Sequence, residues 1–222
     1  MPRPASGRPP SVEEAPAGKG DNHRLLRFDR IERFAHWSTA LLFGILMLTA
    51  IPLYVGPVAQ VVGRRALLAE IHSWAGVVLP VPLIICLAGP WGRRLRRDVH
   101  RLNLWTVDER RWLRTLARDP IRRQGKFNPG QKLNAAFIAG VIVAMVATGS
   151  VMHWYKPFPV DWRTGATFVH DVIAFAVFAV VIGHIGFALT HRDALRSMLR
   201  GWVTRRWARQ NAPLWVEELE VD

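Results

Sequence analysis

The chain has 222 residues, half of them hydrophobic, with 30 Lys and Arg against 17 Asp and Glu, a formal net charge of +13. Its one cysteine, Cys86, excludes an intrachain disulfide and a cysteine-held iron–sulfur cluster within this chain. Mean hydropathy is only +0.09 because apolar and basic stretches are segregated, a pattern that argues for contact with membrane lipid rather than nucleic acid.

The first stretch, MPRPASGRPPSVEEAPAGKGDN, is rich in Pro, Gly, Ala and charge, and residues 1–23 are expected to be a disordered tail rather than a signal peptide. A membrane domain over residues 24–218 follows, with 219–222 as its C-terminal end. The first apolar run covers about residues 34–54 and carries His36 at its start. A short connection leads to a second run, about 67–91, with His72 near its beginning and a kink expected at Pro80 and Pro82. Residues 92–132 form a long basic loop, within which 107–118 has the pattern of a surface helix bearing Trp112. The third run, about 133–154, is studded with small residues such as Ala139, Gly140 and Gly149. The fourth, about 167–190, holds both His170 and His184. Each run is long enough to cross a bilayer as a helix, so the expected fold is an all-α bundle of four transmembrane helices.

Orientation follows from the positive charges. Of the 30 Lys and Arg, 26 precede the first run, fill the 92–132 loop or follow the fourth run, and only four lie in the other two connections. The positive-inside rule therefore puts both termini in the cytoplasm of a multi-pass protein of the bacterial inner membrane.

That orientation fixes the depth of each histidine. His36 and His184 fall near the inner face, His72 and His170 near the outer one. His170 and His184 are fourteen residues apart on one helix, which returns them to within about 40° of one face and separates them by about 21 Å. Ionisable groups at membrane depth are costly and mark function. Zinc sites want three or four converging protein ligands, whereas each depth here offers two, on different helices. Two imidazoles suit a planar macrocycle that supplies the remaining ligands, so the expectation is two haems, each with two axial histidines. Ala75, Gly76, Gly183, Gly186 and Gly44 leave room nearby. With both axial positions filled the chemistry is electron transfer. No CxxCH occurs, so the haem is non-covalent haem b. His153 is a rival outer ligand and His191 a rival inner one, while His23 and His100 read as surface residues. A lone membrane histidine can also serve as an interhelical hydrogen bond, and a haem-free membrane anchor is the alternative of a different class.

The segments RFDRIERFAHW before the first span, GKFNPGQKLNAAF entering the third, and LRSMLRGWVTRRWARQNAPLW after the fourth resemble the gamma subunit of membrane-bound formate dehydrogenase, a four-helix dihaem cytochrome b. Cytochrome b subunits of hydrogenases and thiosulfate reductases share the general plan. The resemblance implies His36, His72, His170 and His184 as haem iron ligands, and a membrane quinone as acceptor beside the inner haem, near Asn128, Gly130 and Gln131. On residue chemistry alone, Asn128 is equally a helix cap. It also implies partners: an iron–sulfur beta subunit and a catalytic alpha subunit carrying molybdenum or tungsten, a heterotrimer that can assemble into a higher oligomer. Formate oxidation itself has no site in this chain. Where relatives carry paired histidines before the final Pro-Leu-Trp, this chain has Asn211 and Ala212.

Overall fold

The structure, a computed structural model, describes residues 23–115, 118 and 123–221; the expected tail over 1–22 and the last positions of the 107–118 stretch lie largely outside them. The first long helix, α1 (Arg30–Tyr54), starts before the apolar run because of a capping box. Asp29 Oδ1 accepts the Glu32 N–H at 2.8 Å and Glu32 Oε2 accepts the Asp29 N–H at 2.6 Å, satisfying two orphan donors of the first turn. The first connection contains a short helix, α2 (Gly56–Val62), ended by Gly63 at φ 69°.

The second span is two helices, α3 (Arg65–Val78) and α4 (Val81–Ala88). The break falls at Leu79 and Pro80. Proline has no N–H to give and its ring clashes with the preceding turn, so the Leu79 N–H tightens onto the Gly76 carbonyl at 3.3 Å. The span ends at Ala88 rather than near Trp91, which lies in a 3₁₀ turn, Pro90–Gly92. The basic loop folds into α5 (Arg93–Asn103) and α6 (Val107–Arg114), the latter started by a Thr106–Glu109 capping box. Helix α7 (Pro129–His153) forms the third span, and α8 (Val160–Thr190) the fourth. Hydropathy alone placed the start of α8 near Thr167, because Asp161, Trp162 and Arg163 are helical but polar or interfacial. Four helical segments are long and apolar enough to cross a membrane.

α1 packs against α3, α7 against α8, and α3 against α7. Beyond α8 the chain forms α9 (Arg192–Arg200), then a strand β2 (Trp202–Thr204) antiparallel to β1 (Arg24–Leu26), with Arg24 opposite Thr204 and Leu26 opposite Trp202. Helices α10 (Arg205–Asn211) and α11 (Pro213–Val221) close the chain. This ribbon brings the segments before α1 and after α8 to the same end of the bundle, here called the terminal face. Gly201 makes the junction possible. Its φ is 88°, and a Cβ there would lie 2.6 Å from the Phe28 carbonyl oxygen, which only glycine avoids. The Gly201 carbonyl accepts N–H groups from Arg27 at 2.8 Å and Phe28 at 3.0 Å. A compact apolar core sits at this face, made by Val203, Ala208, Ala212, Trp215 and Val216. The spans themselves are mostly exposed along their length, as helices with lipid for solvent must be.

Candidate functional site

Two pairs of imidazoles face each other across the bundle, and α8 contributes one member to each. His36 on α1 and His184 on α8 have ring centroids 6.3 Å apart with planes at 56°. His72 on α3 and His170 on α8 are likewise 6.3 Å apart, at 62°. Among the described residues, α8 packs along α7 but has no comparable packing with α1 or α3, so the paired rings mark where it meets those helices.

The spacing is chemically informative. Direct stacking would bring rings closer, and one imidazole donating to the other would need touching nitrogens. A metal ion held between two imidazoles, with bonds of about 2.0 Å and each nitrogen about 1.1 Å from its ring centre, separates the centroids by about 6.2 Å. Both pairs match that separation although they involve different helices. Among the described residues no three His, Cys, Asp or Glu side chains converge on one point, so the other ligands of such an ion must come from a cofactor. A bis-imidazole site completed by a porphyrin fits the residues present.

The His72–His170 pair is further oriented by hydroxyls. Thr49 Oγ1 donates to the Ile45 carbonyl at 2.7 Å and lies 2.9 Å from His72 Nδ1. Thr148 Oγ1 donates to the Ala144 carbonyl at 2.8 Å and lies 2.9 Å from His170 Nδ1. Where each hydroxyl gives its one proton to the carbonyl, the ring Nδ1–H is the donor in both contacts. That tautomer leaves both Nε2 atoms unprotonated, the form that binds metal. Gly149, next to Thr148, lets the His170 ring lie against the α7 backbone: a Cβ at 149 would meet His170 Cε1 at 3.4 Å. The sequence reading missed Thr49 and Thr148. Their only signal is a hydroxyl inside an apolar run, a weak one because a span threonine ordinarily bonds its own helix.

The rival histidines sit elsewhere. His153 packs edge-on against Trp74 at 6.1 Å and Trp154 at 5.0 Å. His191 stacks on Phe187 at 3.8 Å, and its Nδ1 lies 2.9 Å from the Phe187 carbonyl. His23 and His100 are both exposed or nearly so on the terminal face.

Asn128 and Gln131 form the capping box of α7. Asn128 Oδ1 accepts the Gln131 N–H at 2.8 Å, and Gln131 Oε1 accepts the Asn128 N–H at 3.0 Å. Gly130 occupies the first turn, where a Cβ would come 3.4 Å from Asn128 Oδ1. The cap uses both carboxamide oxygens and leaves the two amide NH₂ groups as donors.

Residues 27–201 match the family profile of prokaryotic cytochrome b561. Among curated proteins, the chain is similar to the cytochrome b556(fdo) subunit of formate dehydrogenase from Escherichia coli K12, at 27% identity over 88% of this chain and 93% of that protein. It is also similar to the formate dehydrogenase cytochrome b556 subunit of Haemophilus influenzae, at 23% identity over 88% of this chain and 83% of the relative. The nitrate-inducible cytochrome b556(Fdn) subunit of E. coli K12 matches at 22%, over 88% and 92% respectively. With four apolar helices and a family match over most of its length, the chain belongs to the prokaryotic cytochrome b561 family, multi-pass haem b electron-transfer proteins of the bacterial inner membrane.

Proposed function

We propose that the chain is the membrane anchor and electron-transfer cytochrome b subunit of a formate dehydrogenase complex, carrying electrons from an iron–sulfur subunit to a membrane quinone. The observation that carries the reading is the repeated 6.3 Å separation of His36 from His184 and of His72 from His170. The relatives' names support the complex.

When bound, two b haems supply one-electron redox centres, one per leaflet. The chain's own part is to hold them. His72 and His170 would hold one haem between their rings, with Thr49 and Thr148 at their Nδ1 atoms, and His36 and His184 would hold the other. No axial position stays open for oxygen or substrate, so electron transfer is the chemistry that remains. Helix α8 sets the distance between the two sites, about 21 Å along its axis. The donor subunits dock on the face opposite the termini, against 55–65 with α2 and against 156–166, which brings them close to the outer site. Quinone binds beside the inner site, where the Asn128 and Gln131 amide groups donate to its carbonyl oxygen and Gly130 admits close approach. The terminal face is cytoplasmic in this reading.

A pyridine haemochrome assay on the purified chain tests the core of the proposal. The expected result is two b haems per chain, low-spin. His72→Ala or His170→Ala should remove the outer haem and His36→Ala the inner one. A single haem at full occupancy, or haem loss in His153→Ala or His191→Ala instead, overturns the assignment.

A further inference from the structure

A second cluster of buried ionisable groups lies on the terminal face, one helical turn from His36, and the haem reading does not use it. Glu32 on α1, Asp98 on α5 and Lys126 before α7 have side chains only 4–5% exposed. Lys126 Nζ donates to Asp98 Oδ2 and stands 3.6 Å from Glu32 Oε1, too far for a hydrogen bond. Glu32 Oε1 is buried with no hydrogen-bond partner, while its other oxygen takes the Asp29 N–H. The other charged groups facing the cluster are Arg27, which is buried and donates to the Lys126 carbonyl at 3.1 Å, and Arg101, bound to Asp98 at 2.8 Å and to Glu218 at 2.6 Å. Burying so many ionised groups is expensive, and an orphan carboxyl oxygen among them adds to the cost. A structural lock would satisfy every oxygen.

The cluster also has an opening. A cavity of about 140 Å³ is lined by Arg101, Lys126, Phe127, Trp215 and Glu218, with Lys132 at its side. Its lining is mostly apolar, with the charged ends of Arg101, Lys126, Lys132 and Glu218 at its wall, and it has room for water. Its wall includes Lys126, behind which lie Asp98 and Glu32. Burial pulls the Lys126 ammonium below its ordinary range, and the carboxylates of Asp98 and Glu32 push it back up. The net effect is a lowered pKa, and Lys126 stands between the cavity and both carboxylates.

We propose that Glu32, Asp98 and Lys126 form the proton-uptake site of the protein's inner half, filled from the terminal face through this cavity. The proposal rests on the quinone reading above. Reduction of a quinone to quinol consumes two electrons and two protons. With two electrons supplied from the inner site, the protons would pass one at a time from Lys126 by way of Glu32 to the quinone, and Lys126 would be refilled from the aqueous phase after each transfer. Glu32 is the forward end: its Oε1 makes no hydrogen bond and can take a proton from Lys126, 3.6 Å away, and it lies on α1 one helical turn before His36. A negative charge arriving there by reduction favours protonation of a nearby carboxylate.

The test is redox-linked proton uptake by the purified full chain with haem bound and no quinone present. Reduction at an electrode through a mediator that carries electrons alone, in weakly buffered solution with a pH indicator, reads the protons, and equilibrium titration reads the inner-haem potential from pH 6 to 8. Wild type should take up protons on reduction, with an inner-haem potential that falls as pH rises. Glu32→Gln keeps the capping box, since Gln serves equally at that position, and should abolish both effects. Glu32→Asp should restore part of them, and Asp98→Asn should slow uptake. Unchanged uptake in Glu32→Gln with intact haem overturns the proton site and leaves the haem reading standing. Loss of quinone reduction in Glu32→Gln without loss of redox-linked uptake also overturns it, since the residue then acts only structurally. A chain that binds no haem pair sinks both proposals together.

Discussion

At the scale of single residues, the threonine hydroxyls give the outer histidines a defined tautomer before any iron arrives. Metal-bound histidines that lose the partner of their other ring nitrogen typically lose about 10–100-fold in metal affinity. Thr49→Val and Thr148→Val are nearly isosteric, so the helices should persist while haem retention at the outer site falls by that order, and Thr→Ser should recover most of it. Haem titration into apoprotein, with the low-spin signals of the two haems followed separately, checks this; equal weakening of the inner haem would refute it. The four paired histidines were legible in the sequence because cost at membrane depth singles them out and topology pairs them. The threonines were not, since nothing in a linear apolar run says which hydroxyl on α1 will meet a ring on α3. Thr49 lies 23 residues from His72, and Thr148 lies 22 from His170. The reserve role of Asn128 and Gln131 is likewise only half legible: the N-x-x-Q spacing predicts a cap, and the structure forms that cap. For this reason their proposed contact with quinone is best probed by Asn128→Asp with Gln131→Glu, which retains the cap oxygens and removes the amide donors. Quinone turnover should fall about tenfold, the value of one hydrogen bond of about 1.4 kcal/mol, with haem content intact.

Individual elements on the terminal face share one device. Three helices start with capping boxes, Asp29–Glu32, Thr106–Glu109 and Asn128–Gln131. In two of them the capping glutamate also faces a buried lysine from a distant segment. Glu32 faces Lys126, and Glu109 holds Lys132 through both oxygens at 2.7 and 2.8 Å. Lys132 additionally donates to the Leu104 carbonyl at 2.6 Å. The sequence reading stopped at hydropathy for these starts, and so it began α1 at about residue 34 and α8 at about 167. The D-x-x-E in RFDRIER carried the better boundary. It also had no means to pair β1 with β2, because each is three residues long and separated by the whole bundle. The Glu109–Lys132 pair has side chains 4% and 7% exposed, so Lys132→Met strands a buried carboxylate. The expected cost is about 3–5 kcal/mol, and the double variant with Glu109→Gln should regain much of it. By contrast, the Arg196–Asp193 pair is 41% and 49% exposed, and Arg196→Ala should cost well under about 1 kcal/mol. Thermal unfolding in detergent, scored by loss of the haem absorbance, separates the two cases; equal effects would mean the buried pair is solvated.

The whole molecule is polarised from end to end. The terminal face holds β1–β2, α5, α6 and α9–α11, and the segments on that side carry 22 of the 26 Lys and Arg among the described residues, against four in the opposite connections. That asymmetry was visible in the sequence, and the pairing of Arg24 with Thr204 agrees that both ends of the membrane domain emerge on one side. What it means physically is orientation. Short basic loops resist translocation, so the terminal face should stay in the cytoplasm. With that orientation, the proposed path would run from the outer pair, His72 and His170, to the inner pair, His36 and His184, and would end where protons are drawn from the cytoplasmic side. Electrons moving inward and protons taken up inside together separate charge across the membrane. A reporter active only in the cytoplasm, fused after Asp222, should be active, and one active only outside should be active when inserted at Gly63, the αL turn after α2. Neutralising Arg93, Arg94, Arg96 and Arg97 to glutamine leaves a large excess on the terminal face and should not reverse the result. Should the Gly63 insertion read as cytoplasmic, the donor subunits and the quinone would exchange sides and the enzyme would dissipate charge rather than separate it.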